Sequence, residues 1–265
     1  MAIYRDEVVV LRLTPFRERD RIVHTLSRER GHLGLVARSA RSPRGGLAAR
    51  LAIANRLEVT YHRGPHAEMG TLREASVVRD HQGLHGDLAA FASLELILEV
   101  ADHLGHEDNP EPELFAAVCH ALDALHGEGD RARHCLRYLL AALATAGLWG
   151  GSERCEHCGR PWETEIREIA GEGHALWCGD CAARRGRPFP LGLLKSLAHV
   201  ARRPDDRLRL TADEERRAVE WLAGRIEAHT RRRLKSLPFW LDVVANKSSP
   251  QGSSLAPSPS GRGLG

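Results

Sequence analysis

The sequence predicts an α+β protein with more than one domain, in which a small β-barrel precedes a mainly helical region. Three observations lead to this fold class. Short apolar strands crowd the first 80 residues, leucines recur at helical spacing over 87–148, and two Cys-x2-Cys pairs follow. A chain of 265 residues is long enough for two or three domains, each with its own core.

Residues 1–80 form the predicted barrel, because five short segments carry the apolar pattern of strands. These segments are Tyr4–Leu13, Arg21–Leu26, a strand that begins at Gly31, Leu57–Tyr61 and Met69–Val78. Five short strands in so few residues favour a closed barrel, and the OB-fold is the common five-stranded case. The sequence therefore predicts a five-stranded OB-fold as the first domain.

Residues 81–243 form the predicted helical domain. Apolar residues recur every three or four positions over 88–98, 114–125 and 136–143, and a shorter helix is predicted over 191–200. Thr211 to Glu214 has the pattern of a capping box, and it begins a long helix that carries apolar residues as far as Leu237. The segment 244–265 is dominated by Ser, Pro and Gly, which predicts a disordered tail.

Four cysteines in the pattern Cys155-x2-Cys158-x19-Cys178-x2-Cys181 predict a zinc module inserted at 152–187. Two close pairs of thiolates complete a tetrahedral shell for one structural Zn²⁺ and leave no position for water. Two disulfides are the alternative, but a chain of this size has enough core to fold without them. The other two cysteines, Cys119 and Cys135, have apolar helical neighbours and are predicted to be buried.

The net charge of +3 conceals an uneven distribution along the chain. Residues 1–80 hold 15 Lys and Arg against 9 Asp and Glu, residues 81–130 hold none against 11, and residues 131–265 hold 23 against 15. Basic segments at both ends indicate a polyanionic partner, and the acidic middle should point away from it. The charged start and the lack of a long apolar run predict a cytoplasmic protein that does not enter a membrane.

Four stretches of the sequence occur in a characteristic order. They are Arg19-Asp20-Arg21-Ile22-Val23 followed by Gly31, the run from Val36 to Arg41, the passage from Gly147-Leu148 to Cys155-x2-Cys158-Gly159, and the run from His229 to Leu237. With the order of barrel, helical domain and four-cysteine module, they resemble the RecO family of bacterial recombination-repair mediators over about residues 1–243. One position departs from the family pattern, since the family often has Gly where this chain has Ser39.

The resemblance implies several functions that composition does not reveal. RecO-like proteins bind single- and double-stranded DNA and anneal complementary strands. They bind the C-terminal tail of the single-stranded-DNA-binding protein, and with RecR they help to load the RecA recombinase onto coated strands. The family is not known to catalyse covalent chemistry, and the resemblance implies a cytoplasmic, nucleoid-associated protein.

Arginines of the barrel are the predicted DNA contacts. Cations on loops neutralise phosphates and give salt-sensitive affinity without sequence preference. Few aromatic residues accompany them, so we expect backbone electrostatics to exceed base stacking. A solvated basic loop is the alternative interpretation. The candidate residues are Arg17, Arg19, Arg21, Arg38, Arg41 and Arg44.

A second candidate site lies in the helical domain. Arg133 and Arg137 are four residues apart on a helix whose other side is rich in leucine. A partner that ends in an acidic, apolar peptide needs a cation for its terminal carboxylate beside an apolar slot. An ordinary amphipathic helix explains the same pattern. The candidate residues are Arg131, Arg133, Arg137, Tyr138 and Leu148.

Two other function classes fit the sequence less well. His66-Ala67-Glu68 with a later Cys-x2-Cys is similar to the zinc nucleobase deaminases, but 109 residues separate Glu68 from Cys178, and a second cysteine pair would fill the water position. A zinc-ribbon transcription factor would need a recognition helix rich in Asn, Gln and Arg. After residue 100 the only asparagines are Asn109 and Asn246, and neither lies in such a helix.

Overall fold

The computed structural model describes residues 2–40, 47, 49–127, 130–149, 154–162, 165–203 and 210–245. Two of the predicted DNA contacts, Arg41 and Arg44, lie outside these residues. So does most of the predicted C-terminal tail, whose described part is limited to residues 244 and 245.

A closed five-stranded barrel forms the N-terminal part of the chain, as the sequence predicts. Its strands follow the order β1-β2-β3-β5-β4, and β4 pairs with β1 to close the barrel. Only the β3–β5 pair is parallel among these neighbours, with Leu35 opposite Gly70. This is the arrangement of an OB-fold. The strands are β1 (Ala2–Phe16), β2 (Asp20–Ser27), β3 (Gly31–Ala37), β4 (Arg56–Arg63) and β5 (Gly70–Arg79).

Alternating side chains fill the inside of the barrel. In β3 the residues Leu33, Leu35 and Ala37 are buried, whereas those between them are only partly covered. Successive side chains of a strand point to opposite faces, so this pattern assigns one face to the barrel core. Tyr61 of β4 is fully buried in the same core and stacks on Tyr4 with ring centroids 5.4 Å apart.

Helices make up most of the rest of the chain. Asp87 caps the first of them by accepting hydrogen bonds from the backbone N–H groups of Ala89 and Ala90. The predicted capping box is present, since Thr211 and Glu214 bond to each other's backbone N–H groups. The helices are α1 (Leu88–Leu104), α2 (Pro112–Ala124), α3 (Arg131–Thr145), α4 (Gly179–Ala182), α5 (Leu191–Arg202), α6 (Ala212–Thr230) and α7 (Ser236–Trp240), with a π-helical turn at Leu241–Ala245.

The predicted long helix ends earlier than its apolar pattern indicates. Helix α6 stops at Thr230, and Arg231 adopts a left-handed conformation with φ of +55°. Leu234 and Leu237 therefore lie beyond α6, Leu237 within α7, although both pack on the helical core. The prediction of one helix through Leu237 is wrong, because a left-handed residue reverses the chain direction without breaking the apolar spacing.

A three-stranded sheet lies between α3 and α5 in the sequence. It consists of β6 (Ile166–Ile169), β7 (Ala175–Cys178) and β8 (Arg187–Phe189), in the order β7-β6-β8. Trp177 and Ala182 form a small separate core with Cys155 and Cys178, and Trp162 packs against it. The sheet and this core form the module that the cysteine spacing predicts, and the name zinc module refers to that prediction.

The barrel and the helices share apolar core. Val9, Leu11 and Leu26 of the barrel belong to the same buried cluster as the helical leucines. The turn between β2 and β3 also meets the loop after α1, where the His32 N–H donates to the His106 carbonyl at 2.8 Å. Gly31 makes this approach possible, because a Cβ there would lie 2.2 Å from the Asn109 carbonyl oxygen. Its φ of +66° also favours glycine.

Candidate functional site

The four predicted cysteines come together in the zinc module. Their sulfur atoms all lie within 4.8 Å of one another. Cys155 and Cys158 stand in a tight turn closed by the Gly159 N–H, which donates to the Cys155 carbonyl at 2.8 Å. Cys178 ends β7 and Cys181 lies in α4, so the strand and the short helix position the second pair. The sequence prediction of one cluster is therefore confirmed.

The spacing of the sulfurs fits a tetrahedral metal ion. Bonds of about 2.3 Å from Zn²⁺ to four thiolates place neighbouring sulfurs about 3.8 Å apart. The Cys158 and Cys178 sulfurs are 3.9 Å apart. In addition, the Cys178 N–H donates to the Cys155 sulfur at 3.2 Å, a contact that stabilises a thiolate. None of the four cysteines is disulfide-bonded, which favours a metal site over a pair of disulfides.

Nearby groups favour the thiolate form of Cys158. The backbone and then the guanidinium of Arg160 lower the pKa of the Cys158 thiol to about 6. The neighbouring sulfurs act in the opposite direction on Cys181 and raise the pKa of its thiol to about 12. Crowded thiolates repel one another, and a divalent cation at their centre would offset this repulsion.

A buried carboxylate joins the zinc module to the helical domain. Glu168 of β6 is almost fully buried, and its oxygens accept from His174 Nδ1 at 2.6 Å, Arg187 Nε at 3.1 Å and Arg217 Nη2 at 2.5 Å. Arg217 lies on α6, which also donates from Trp221 Nε1 to the His174 carbonyl. The sequence analysis missed this network, because its members are up to 49 residues apart and follow no local pattern.

The barrel brings its predicted DNA contacts to one end. Strand pairing places Arg21 opposite Pro15 of β1 and opposite Ala37 of β3. Arg17 and Arg19 lie in the β1–β2 turn, and Arg38 directly follows β3. All three arginines therefore lie at the same end of the barrel. Arg17, Arg19 and Arg38 are exposed, and Arg21 is half-buried.

Ser39, the residue that departs from the family pattern, is accommodated by its backbone conformation and by one hydrogen bond. It adopts φ of +55°, a conformation in which glycine meets no steric cost. The Ser39 N–H donates to Asp20 Oδ1 at 2.9 Å. This contact holds the start of the basic loop against the β1–β2 turn.

The helical candidates separate into surface and structural residues. Arg133 of α3 pairs with the buried Glu215 of α6 at 3.1 Å and with Asp130 at 3.5 Å. Burial raises the pKa of Glu215, and Arg133 opposes that shift. Removing one partner of a buried ion pair leaves the other uncompensated, so Arg133 stabilises the contact between the two helices.

Tyr138 lies in the core, and the prediction that it lines a binding slot on the surface is wrong. Its ring is buried, and its hydroxyl donates to the Ile97 carbonyl of α1 at 3.0 Å. The cause is helical geometry, since Tyr138 follows Cys135 by three residues and precedes Ala142 by four, and so shares a buried face with both. Arg131 and Arg137 remain half-buried on α3, and Leu148 packs partly covered against the helical core.

The geometry argues against the deaminase alternative. The group that could hold a metal among the described residues consists of the four cysteines, which leaves no ligand position for water. Glu68 lies in the exposed turn between β4 and β5 of the barrel, outside the zinc module. In the described part of the chain, no helix has the length and apolar character to cross a membrane.

Comparison with known proteins covers nearly all of the described chain. The family model Recombination protein O N terminal matches residues 1–81, and Recombination protein O C terminal matches residues 85–238. A protein of Anaeromyxobacter sp. (strain K) named DNA repair protein RecO is 35% identical over 243 residues, which are 89% of this chain and 94% of that protein. A protein of the same name from Frankia casuarinae is 28% identical over 243 residues, 90% of this chain and 98% of that protein.

Proposed function

The chain belongs to the RecO family of DNA repair proteins, which is not a family of enzymes, and on this premise we propose that it binds DNA through its barrel. The observation that carries the proposal is the meeting of Arg17, Arg19, Arg21 and Arg38 at one end of an OB-fold. Arg41 and Arg44 follow Arg38 in the sequence and extend the same basic segment. Cations in this arrangement bind phosphates of either single- or double-stranded DNA.

Salt dependence tests the DNA surface. Replacing Arg19 and Arg38 together by Ala should weaken binding to every sequence and flatten the log–log salt slope by about 1.4 to 1.8, the sum for two lost phosphate contacts. The matched control is Arg5→Ala with Arg28→Ala, because these exposed arginines lie at the opposite ends of β1 and β2. An equal loss in both double variants would mean that only overall charge matters. The same measurement applies to Arg41 and Arg44.

The zinc proposal is that the four cysteines hold one structural Zn²⁺ per chain. The free thiols and the 3.9 Å sulfur spacing support it. Replacing Cys158 by Ser should remove the metal and unfold the module around residues 152–187, while the barrel keeps its structure. Elemental analysis measures the metal, and the fluorescence of Trp177 reports on the module. A native protein without zinc, or with paired disulfides, would contradict this assignment.

The helical domain is proposed to bind the acidic C-terminal tail of the single-stranded-DNA-binding protein. The half-buried Arg131 and Arg137 supply cations on α3, and Leu148 supplies apolar surface. Arg137→Glu should abolish binding of a tail peptide, and Arg28→Glu on the barrel serves as the charge-matched control. Because Arg137 is half-buried, the melting temperature of both variants is measured, and affinities are compared at a temperature where both are folded. Arg133 is unsuitable for this test, because its removal would leave the buried Glu215 without its ion-pair partner. Equal peptide affinity in the two variants would place the tail site elsewhere.

The biological role proposed for these surfaces is strand annealing and recombinase loading in the cytoplasm, at the nucleoid. With RecR, the protein would help RecA to displace the single-stranded-DNA-binding protein from coated strands. RecA filament formation on coated strands, measured with each protein omitted in turn, tests this role. Filaments that form equally well without this chain would refute the mediator proposal.

A further inference from the structure

A groove of about 820 Å³ runs between the barrel and the helical domain. One wall comes from β1 of the barrel, and the other comes from α1 and the residues around the start of α7. It is distinct from the zinc module and from the candidate residues of α3, none of which line it. No part of the proposed function uses this groove.

Two phenylalanine rings line the groove together with Leu11, Ile53 and Leu98. Phe91 of α1 and Phe239 of α7 meet edge to face, with centroids 6.3 Å apart. Phe239 keeps 37% of its surface exposed, so its ring is accessible from solvent. An accessible phenyl ring beside cations is the combination that binds unstacked bases in single-strand sites.

Three cations stand around these rings. Arg12 lies on β1, and Arg233 and Lys235 lie between α6 and α7, and all three are exposed. Among the described residues, no acidic side chain forms an ion pair with any of them. Their charge therefore remains available to a ligand.

The carboxylates that line the groove are already engaged within the protein. Glu99 accepts from the backbone N–H groups of Lys235 and Ser236 at 2.9 and 2.8 Å. Asp102 pairs with His32 at 2.9 Å and with Arg232 at 3.1 Å. Burial raises the pKa of Glu95 from its ordinary value. The groove is lined by four cations, Arg12, Arg232, Arg233 and Lys235, and by three carboxylates, so its lining keeps a net positive charge of one.

Strand β1 leads from the groove towards the basic end of the barrel. Arg12 donates to Thr14 Oγ1 at 3.1 Å, so the two side chains share the outer face of β1. From Arg12 the strand leads to Phe16 and then to Arg17, whose guanidinium lies 5.1 Å from the Phe16 ring centroid. Five residues of strand span about 17 Å. Cations at both ends of this stretch suit a linear polyanion better than a peptide with a single terminal carboxylate.

We propose that this groove binds the unstacked bases of single-stranded DNA, with Phe239 as the stacking ring and with Arg12, Arg233 and Lys235 on the phosphates. The inference rests on the proposed DNA binding and adds a second contact surface to it. The strand would pass from the arginines of the β1–β2 turn along β1 into the groove. Duplex DNA keeps its bases stacked and cannot use the ring, so the groove favours single strands.

Substitution of Phe239 tests base stacking directly. Loss of one stacked base lowers affinity about tenfold. Phe239→Ala and Phe239→Leu should both show this loss with an oligothymidine of about 16 nucleotides, and Phe239→Tyr should bind like the wild type. Leu is the informative control, because it keeps the apolar volume and removes the aromatic face. A duplex of equal length, and an abasic strand, should bind all three variants and the wild type equally.

A second pair of variants tests the cations without touching the apolar groove. Arg233→Ala with Lys235→Ala should flatten the salt slope for the single strand by about 1.4. The control, Arg28→Ala with Lys195→Ala, removes the same charge from exposed positions outside the groove. Both pairs are on the surface, so this measurement stands even if a Phe239 variant loses stability. Equal slopes in the two pairs would overturn the phosphate contacts.

Three results separate the possible failures. If the wild type binds no DNA, the proposed function and this inference fall together. If it binds DNA but Phe239→Ala leaves single-strand affinity unchanged, only the groove assignment is wrong. If Phe239→Ala loses an acidic apolar peptide and keeps single-strand affinity, the groove is a peptide site and the base-binding inference is refuted.

Discussion

Replacement of Gly31 by Ala is the most specific test of how the barrel meets the helices. Two costs add at this position. The left-handed φ of +66° costs about 1–2 kcal/mol for a residue with a Cβ. The new Cβ would also lie 2.2 Å from the Asn109 carbonyl oxygen and 2.3 Å from that of His106, and overpacking of this kind costs about 1–3 kcal/mol.

The expected destabilisation is therefore about 3 kcal/mol. In a chain of this size each kcal/mol lowers the melting temperature by about 2–4 °C, so the variant should melt about 6–12 °C below the wild type. Scanning calorimetry measures this shift. DNA affinity at the basic end of the barrel should persist at temperatures where the variant is folded, because Gly31 lies at the opposite end of β3 from Arg38.

Two other glycines separate the two costs. Gly147 has φ of +69° but open space around its Cβ position, so Gly147→Ala should lose only about 1–2 kcal/mol. Gly83 has neither constraint, and Gly83→Ala should leave stability unchanged or slightly raised. Equal losses for Gly31→Ala and Gly147→Ala would show that the turn does not press against residues 106–109 in solution.

Three further predictions concern buried charges and titrating groups. Burial lowers the pKa of His81 to about 4, so the unfolded chain binds a proton at a higher pH than the folded protein does. The free energy of unfolding should therefore fall by up to about 3 kcal/mol as the pH drops from about 6.5 to 4. In urea unfolding, His81→Gln should flatten this part of the pH profile. The His32 hydrogen bond holds the pKa of Asp102 well below its usual range. The ionised Asp102 therefore stabilises the fold fully above about pH 4, and this stabilisation is lost as the pH falls below that value. Asp102→Asn should reduce the loss of stability in acid, and an unchanged acid profile would contradict the contact. Arg217→Ala should cost about 2 kcal/mol by removing one charged partner of Glu168, and Arg217→Lys should recover part of this in thermal melts.

The sequence predicted the elements whose signals are local. Five strands, the capping box at Thr211 and the four-cysteine cluster each depend on residues close together in the chain or on a fixed spacing, and all three are present. The core positions of Cys119 and Cys135 followed from their apolar neighbours, and both are buried.

The remaining features depend on contacts between distant segments. The end of α6 escaped prediction because an arginine in a left-handed conformation carries no compositional signal. Tyr138 was expected in a binding slot beside Arg133 and Arg137, yet one step along a helix from Arg137 turns the side chain by roughly 100° and places it in the core. The groove itself combines residues of β1, α1 and α7, and its walls meet only in the folded protein.

The connection between α6 and α7 has a consequence for proteolysis. Residues 231–235 read Arg-Arg-Arg-Leu-Lys, so a trypsin-like protease meets four potential cleavage sites on an exposed segment. Glu227 holds the Leu234 N–H at 2.7 Å, and Glu99 holds the next two backbone N–H groups. A protease binds its substrate as an extended backbone, so these hydrogen bonds must break before the segment can enter a protease active site. Limited digestion of Glu99→Gln should therefore cut this segment faster than digestion of the wild type, and the cut rate becomes a direct measure of local opening beside the groove.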